Sequence, residues 1–389
     1  MCIRDRAYEG AFRLPDLPDA AEGYDWRWSG SAMAYYPEGD PGGADDGYPG
    51  SLFATGHDWN QWVAEISIPA PVVPAGGDLG ALNTATMLQP FHDVRSDLYA
   101  GRFEAWEIPR AGLAYLPPQG EQRSGKLAFC WGVHLQEGDS GPTHGWCELN
   151  LADPQPAGPW RVGDYPNYVT SDYMLPIPTE WADVHTPGMR LATGRFRDGG
   201  QGALGPSLIA VGPVPPVSGS TLVAVPLLLY GSVYEENPPA MVGYHHSDEW
   251  SGAAWLAAGE RSAVVFVGTK GHGECWYGYP DGTVWPEEGP YPPEPAEGER
   301  GWWSTRFTAQ MLFYSPADLA AVARGELAAH EPQPYAALDV DPYLVHVTSD
   351  QQKHRLGAAS FDPARGLLYV FEVLADDDRP LVHVWRVLP

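Results

Sequence analysis

Short apolar runs, separated by glycine, proline and acidic residues, follow one another in a recurring order. Residues 31–37 (SAMAYYP) lead through a Gly/Asp-rich turn to 51–57 (SLFATGH), then to 61–69 (QWVAEISIP) and 82–90. Each run has strand length and β-branched or aromatic content, so the order reads strand, turn, strand, turn, strand, loop, strand. Residues 111–117 (AGLAYLP) restart it, followed by 126–134 and 145–151. Two strands recur at 207–212 and 221–230. A further copy runs through 252–257, 262–269, 308–314 and 334–340, and the last through 357–363 (GAASFDP), 366–372 (GLLYVFE) and 381–387. One helix is expected at 316–325 (PADLAAVARG), opened by proline and closed by glycine. Self-similarity on this scale predicts a repeat architecture.

The last copy lacks a fourth strand, and residues 8–15 (YEGAFRLP) form an unassigned strand at the other end of the chain. Pairing the two would close a ring and remove its free edges. A strand ending in Asp-Pro or Tyr-Pro, a turn, then Gly-Leu-Leu-Tyr-Val resembles the blades of β-propellers. The resemblance spans nearly the whole chain and implies an all-β propeller of about six four-stranded blades. This count takes residues 160–200, which do not parse cleanly, as a degenerate blade. The expected organisation is one domain over 7–389, with an aromatic, Pro-rich insertion at 273–306. The chain also resembles a group of bacterial proteins sharing Gly56-His57-Asp58-Trp59, Tyr244-His245-His246-Ser247-Asp248-Glu249-Trp250 and Gln351-Gln352-Lys353-His354. That likeness carries no activity with it.

Composition narrows the partners. Fifty acidic residues against 23 basic ones give a net charge of -27, which repels nucleic acid and anionic membranes. No run approaches the roughly 20 apolar residues of a membrane-spanning helix, so no membrane insertion is expected. Residues 1–6 (MCIRDR) read as adapter-derived sequence of metagenomic origin, and the fold reading excludes them. On that reading the native N-terminus and any signal peptide are missing. Folding 126–134 against 145–151 sets Cys130 roughly opposite Cys147 and His134 roughly opposite His144. A disulfide there would imply an extracytoplasmic, oxidising location, secreted or periplasmic. The alternative is two small buried thiols.

The polar residues are unevenly distributed. In propellers, loops joining second to third strands share one face with the connections between blades. Seven of the twelve histidines belong to such loops: His57, His134, His144, His245, His246, His272 and His354. Histidine is the side chain suited to acid–base work near neutral pH, and arginine or lysine neutralises a carboxylate. The candidate catalytic groups are therefore His57, His245, His246 and His354, with Arg197 and Lys353 as charge neutralisers. Trp28, Asp58, Asn60, Arg195, Asp248, Glu249, Lys270, His272 and Gln352 are the candidate substrate-binding groups. Clustered histidines and carboxylates also suit a divalent metal. Each has a structural counterpart: His57 bonding a neighbouring backbone group, residues 353–355 forming a solvated turn, Arg195 salt-bridged. The insertion holds Trp276, Tyr277, Tyr279, Trp285, Tyr291, Trp302 and Trp303, and aromatic rings stack on sugar faces. Two readings follow. One is a carbohydrate-active protein, lyase-like or metal-dependent; the other is a non-catalytic module binding glycan or protein. No activated nucleophile, phosphate loop or dinucleotide fingerprint is present.

Overall fold

The computed structural model describes residues 6–43, 46–100, 110–120, 122–132, 139–195, 203–215, 220–293 and 300–388. Residues 1–5 of the suspected tail, His134 and Arg197 lie outside the described residues. The protein is all-β, as expected.

The first strand, β1 (Arg6–Arg13), belongs to the last sheet. Five antiparallel four-stranded units are then traced. The first is β2 (Met33–Tyr36), β3 (Ser51–Thr55), β4 (Val63–Ser67) and β5 (Met87–His92). The second is β6 (Arg110–Leu116), β7 (Lys126–Gly132), β8 (His144–Cys147) and β9 (Ala157–Val162). The third is β10 (Tyr173–Pro176), β11 (Leu191–Gly194), β12 (Leu208–Gly212) and β13 (Thr221–Leu228). The fourth is β14 (Glu249–Ala258), β15 (Arg261–Gly278), β16 (Gly301–Tyr314) and β17 (Ala336–Asp339). The fifth is β18 (Leu356–Asp362), β19 (Leu367–Asp376) and β20 (Arg379–Val387), completed by β1 from Arg6↔Val387 to Arg13↔Leu381. Two parallel pairs, Arg161↔Thr221 and Val162↔Leu222, join the second and third units into one eight-stranded sheet. Its edge strands β6 and β10 also pack on each other, so that sheet nearly closes on itself.

The first strands pack in the order β2, β6, β10, β14, β18, and β18 returns to β2. Apolar clusters fill the gaps in the same cycle. Phe53, Val63, Leu113 and Phe129 lie between the first and second units; Cys130, Met174 and Ile209 between the second and third. Tyr173, Leu208, Phe266 and Tyr314 fill the next gap, and Val265, Met311, Leu368 and Val370 the one after. Phe12, Met33, Leu52 and Tyr369 bridge the fifth unit back to the first. Sheets covered on both faces lose the simple in–out alternation, which is why strands such as β3 and β7 read as unbroken apolar runs.

Among the described residues the strands form five four-stranded units, so the count of about six is not met. Residues 160–200 are not a degenerate blade. They hold the end of β9, then β10 and β11, whose partners are the two strands recognised at 207–230. Strand β10 has four residues, ends in proline, and is separated from β11 by helix α1 (Thr179–His185), so its period is too short to read. The expected helix is present as α2 (Pro316–Ala323), between β16 and β17. The Ser315 hydroxyl accepts from the Asp318 amide, and Leu319 is buried.

The disulfide is also corrected. Cys130 pairs in register with His144, and Cys147 with Leu127. This offset differs from the expected one by an odd number of residues, which turns the two thiols to opposite faces. Cys130 packs toward the third unit and Cys147 toward the first; both are free and buried.

Candidate functional site

In an antiparallel unit, second-to-third loops and the connections between units lie at the end where the first strands begin. The structure gathers most of the candidate residues there, in three groups.

The largest group lies between the fourth and fifth units. Glu249 opens β14 with its carboxylate buried, and Oε2 is 2.6 Å from Nδ1 of His354. The two differ sharply in access: the His354 side chain is 48% exposed and that of Glu249 1%. Lys353 places Nζ 3.6 Å from the other Glu249 oxygen and 4.9 Å from the centre of the Trp303 ring. The loop presenting Lys353 and His354 is braced from below. The Gln352 carbonyl oxygen accepts from the Thr348 amide and its Nε2 donates to the His346 carbonyl, so Gln352 shapes the turn. Gln351 donates to the carbonyls of Ser304 and Thr305, and Arg355 bonds Asp341 at 2.6 Å. His354 adopts φ +51°, the left-handed conformation that turns its ring out of the strand path.

Beside it, Asp248 accepts from Lys270 Nζ at 2.8 Å, the Gly271 amide at 2.9 Å and the His245 amide at 3.0 Å. Burial pushes the Asp248 carboxyl up to about 6, against the pull of Lys270 and the two amides. Lys270 is thereby committed to Asp248 and to the Gly271 carbonyl. His245 Nδ1 lies 3.2 Å from Ser304 Oγ, and burial together with Lys270 lowers its pKa. His272 bonds Thr308 at 2.8 Å and is lowered by burial and by the same lysine. His246 stacks on Trp302 with ring centres 4.4 Å apart.

Trp302 and Trp303 come from the insertion, whose two ends, 273–278 and 301–306, prolong the sheet. Strands β15 and β16 continue through Cys275↔Ser304, Trp276↔Trp303 and Tyr277↔Trp302, past an irregularity between His272 and Cys275. Its outer rings pack on one another, as Trp285 on Tyr291 at 4.8 Å and Arg300 over Trp285.

The second group lies on the first unit. His57 is buried; its Nδ1 accepts from the Trp59 amide at 3.1 Å and its own amide donates to Asp25. Burial lowers its pKa. Its Nδ1 thus holds the turn, the structural counterpart named for it in the sequence. Its ring is wedged between Trp28 (5.1 Å) and Trp59 (4.8 Å), which remain 41% and 63% exposed. Asn60 donates to the Gly23 carbonyl and its own carbonyl accepts from Arg95, again a structural assignment. Asp58 is half-buried; desolvation raises its carboxyl to about 6, opposed by Arg110 at the start of β6.

The third group corrects Arg195. It follows β11 and pairs with Asp172 at 2.8 Å where both are buried. Removed from solvent, it fastens the third unit. His144 is likewise interior, held by Thr143 and Thr193 at 3.0 Å each. Sequence reasoning did not single out Trp59 as an exposed ring, although it stands within the quoted Gly56–Trp59 motif. It also missed Ser304, whose place depends on a long-range register that no local pattern signals.

Among the described residues, no group of three or more His, Cys, Asp or Glu side chains is gathered to hold a metal ion. No helix there is long and apolar enough to cross a membrane. No family model matches the chain, and no curated protein matches it.

Proposed function

We propose that the five units are the blades of a β-propeller, and that the face carrying His354 binds and acts on an anionic carbohydrate outside the cytoplasm. The cyclic packing of the first strands and the apolar cluster in every gap support the propeller reading. One observation carries the chemistry: a half-exposed imidazole backed at 2.6 Å by a buried carboxylate, with a lysine beside it.

The Glu249 carboxylate, 2.6 Å from Nδ1, would offset the positive charge that the half-exposed His354 ring gains on acting as a general base. Such a base can take the proton from the carbon next to a uronate carboxylate. The electron pair left behind forms a carbon–carbon double bond as the glycosidic oxygen leaves and collects a proton from water. Lys353 supplies the positive charge that makes this carbon acidic, and the exposed faces of Trp28 and Trp59 offer stacking surface for sugar rings. This scheme needs no metal. The extracytoplasmic location rests on the carbohydrate reading alone, since Cys130, Cys147 and Cys275 are free.

The test is incubation of the purified chain with uronate-containing polysaccharides while following absorbance near the ultraviolet edge. New absorbance is expected, and His354→Ala should reduce its rate by about a hundredfold or more. Glu249→Gln should lower the rate while leaving polysaccharide binding measurable. Trp28→Ala should weaken binding more than turnover. Binding without turnover would favour the non-catalytic module. Absence of both binding and turnover would overturn the proposal.

A further inference from the structure

At the other ends of the first strands, between the first and second units, lies a cleft of about 560 Å³ lined by Tyr36, Glu38, Tyr115, Arg123, Glu148 and Asp153, among others. Tyr36 closes β2 and Tyr115 lies near the end of β6. Their ring centres are 5.0 Å apart, with the planes inclined at 53°. Burial raises both phenols, Tyr115 to about 12, and Glu38 adds to each shift, so both rings stay neutral. The faces of neutral tyrosine rings carry negative potential.

The charges around these rings have the same sign. Glu38, Glu148 and Asp153 line the cleft. Glu148 is partly compensated by Lys126, which it contacts directly. Behind the cleft lies Glu65, a buried carboxyl that accepts from Ser51 at 2.5 Å and from Gln89 at 2.6 Å, both uncharged. Gln89 also donates to the carbonyl of Leu149, a lining residue, so this carboxyl is tied to the cleft wall. Glu65 is close enough to contribute to the raised pKa of Tyr36. Arg123 is the opposing charge in the lining, and it is exposed at the rim.

We propose that this cleft is a second ligand site, separate from the carbohydrate face, and that it takes an organic ammonium group. Paired tyrosine faces attract a cation electrostatically, and a soft, weakly hydrated alkylammonium gives up its water more readily than an inorganic ion. The buried Glu65 carboxyl, behind the cleft wall, adds to the negative potential. The chain's net charge of -27 raises the local concentration of any cation. A neutral sugar would gain from the rings but not from the carboxylates, and an anion would be repelled.

Titration of the whole chain with tetramethylammonium chloride, against sodium chloride of equal ionic strength and against glucose, tests this by NMR or calorimetry. Saturable binding of the ammonium ion is expected, and none of glucose. Glu38 and Arg123 are exposed, so their variants are expected to fold. Glu38→Gln should weaken binding by about fivefold and Arg123→Gln should tighten it by a similar factor, the scale of one exposed charge or cation–π contact. Opposite signs for the two variants identify this cleft as the site. Absence of saturation, equal binding of glucose, or indifference to both substitutions would overturn the proposal. None of these outcomes depends on polysaccharide turnover at the other end of the first strands.

Discussion

His354 keeps half its ring in solvent and one nitrogen on a carboxylate; His144 has neither. Two threonine hydroxyls hold the His144 ring inside the second and third units, and burial lowers its pKa to about 3. An unfolded histidine titrates near 6.5. Between about pH 6.5 and pH 3 the unfolded chain therefore binds a proton that the folded chain refuses. Stability from this group is fully present above about 6.5 and falls as pH drops. The loss amounts to about 3 kcal/mol between pH 7 and pH 4. His57, His245 and His272, also lowered, act in the same sense. Asp58 and Asp248, raised to about 6, act in the opposite sense over roughly pH 4 to 6. The clean measurement is the difference between wild type and His144→Gln in urea unfolding at the two pH values. The variant should be less stable at pH 7 but lose less on acidification, and identical losses would refute the assignment. At this scale the sequence conveyed residue type but not access. His57 and His354 both stand in loops at the same ends of the strands, yet one packs between two tryptophans and the other is half-exposed. That difference arises from contacts with residues distant in sequence, Asp25 and Trp28 for His57 and Glu249 for His354.

Strand β1 carries a different use of histidine. His383 on β20 lies 2.7 Å from Glu372 on β19 and 2.8 Å from the Tyr8 hydroxyl on β1. Glu372 also accepts from the amides of Val345 and His346. A single polar network thus fixes the register of three adjacent strands and the connection leading into the fifth unit. Tyr8→Phe would leave a buried ring nitrogen without its partner, at a cost of about 1–3 kcal/mol. Thermal unfolding of that variant measures the cost, and a change below about 0.5 kcal/mol would show the network to be incidental. Elements of this kind were the most legible part of the chain. The pairing of residues 8–15 with the last copy was expected and is observed, as was helix α2. The failures have physical causes. Strand β10 is too short to show a period. The prolongation of β15 and β16 reads as a Pro- and aromatic-rich loop because its strand signal is broken at His272–Cys275. The register of β7 and β8 cannot be read from two cysteines when both faces of the sheet are apolar.

Across the whole molecule, the recurring small residues of the first strands acquire a reason. Ala111-Gly112, Gly252-Ala253-Ala254 and Gly357-Ala358-Ala359 stand where neighbouring first strands approach backbone to backbone. A Cβ on Gly252 would lie 2.6 Å from the Ala359 nitrogen and 2.8 Å from the Gly357 oxygen, and neither backbone can move without shifting its sheet. Among the described residues the first strand of each unit packs on those of its two neighbours, so a cycle of contacts makes every gap depend on the other four. Gly252→Ala should therefore destabilise by about 1–3 kcal/mol through overpacking, and the loss should be felt by the whole protein. Gly42 is a fitting control. Its nearest contact to an added Cβ is a side-chain oxygen at 3.5 Å, so Gly42→Ala should change stability by less than about 0.5 kcal/mol. Far-ultraviolet circular dichroism and tryptophan fluorescence, followed together through denaturant, supply the readout. In a closed cycle the two signals shift to a lower midpoint as one transition. If Gly252→Ala instead released the fourth and fifth units in a separate early step, the gaps would be independent and the ring would not act as a cooperative whole.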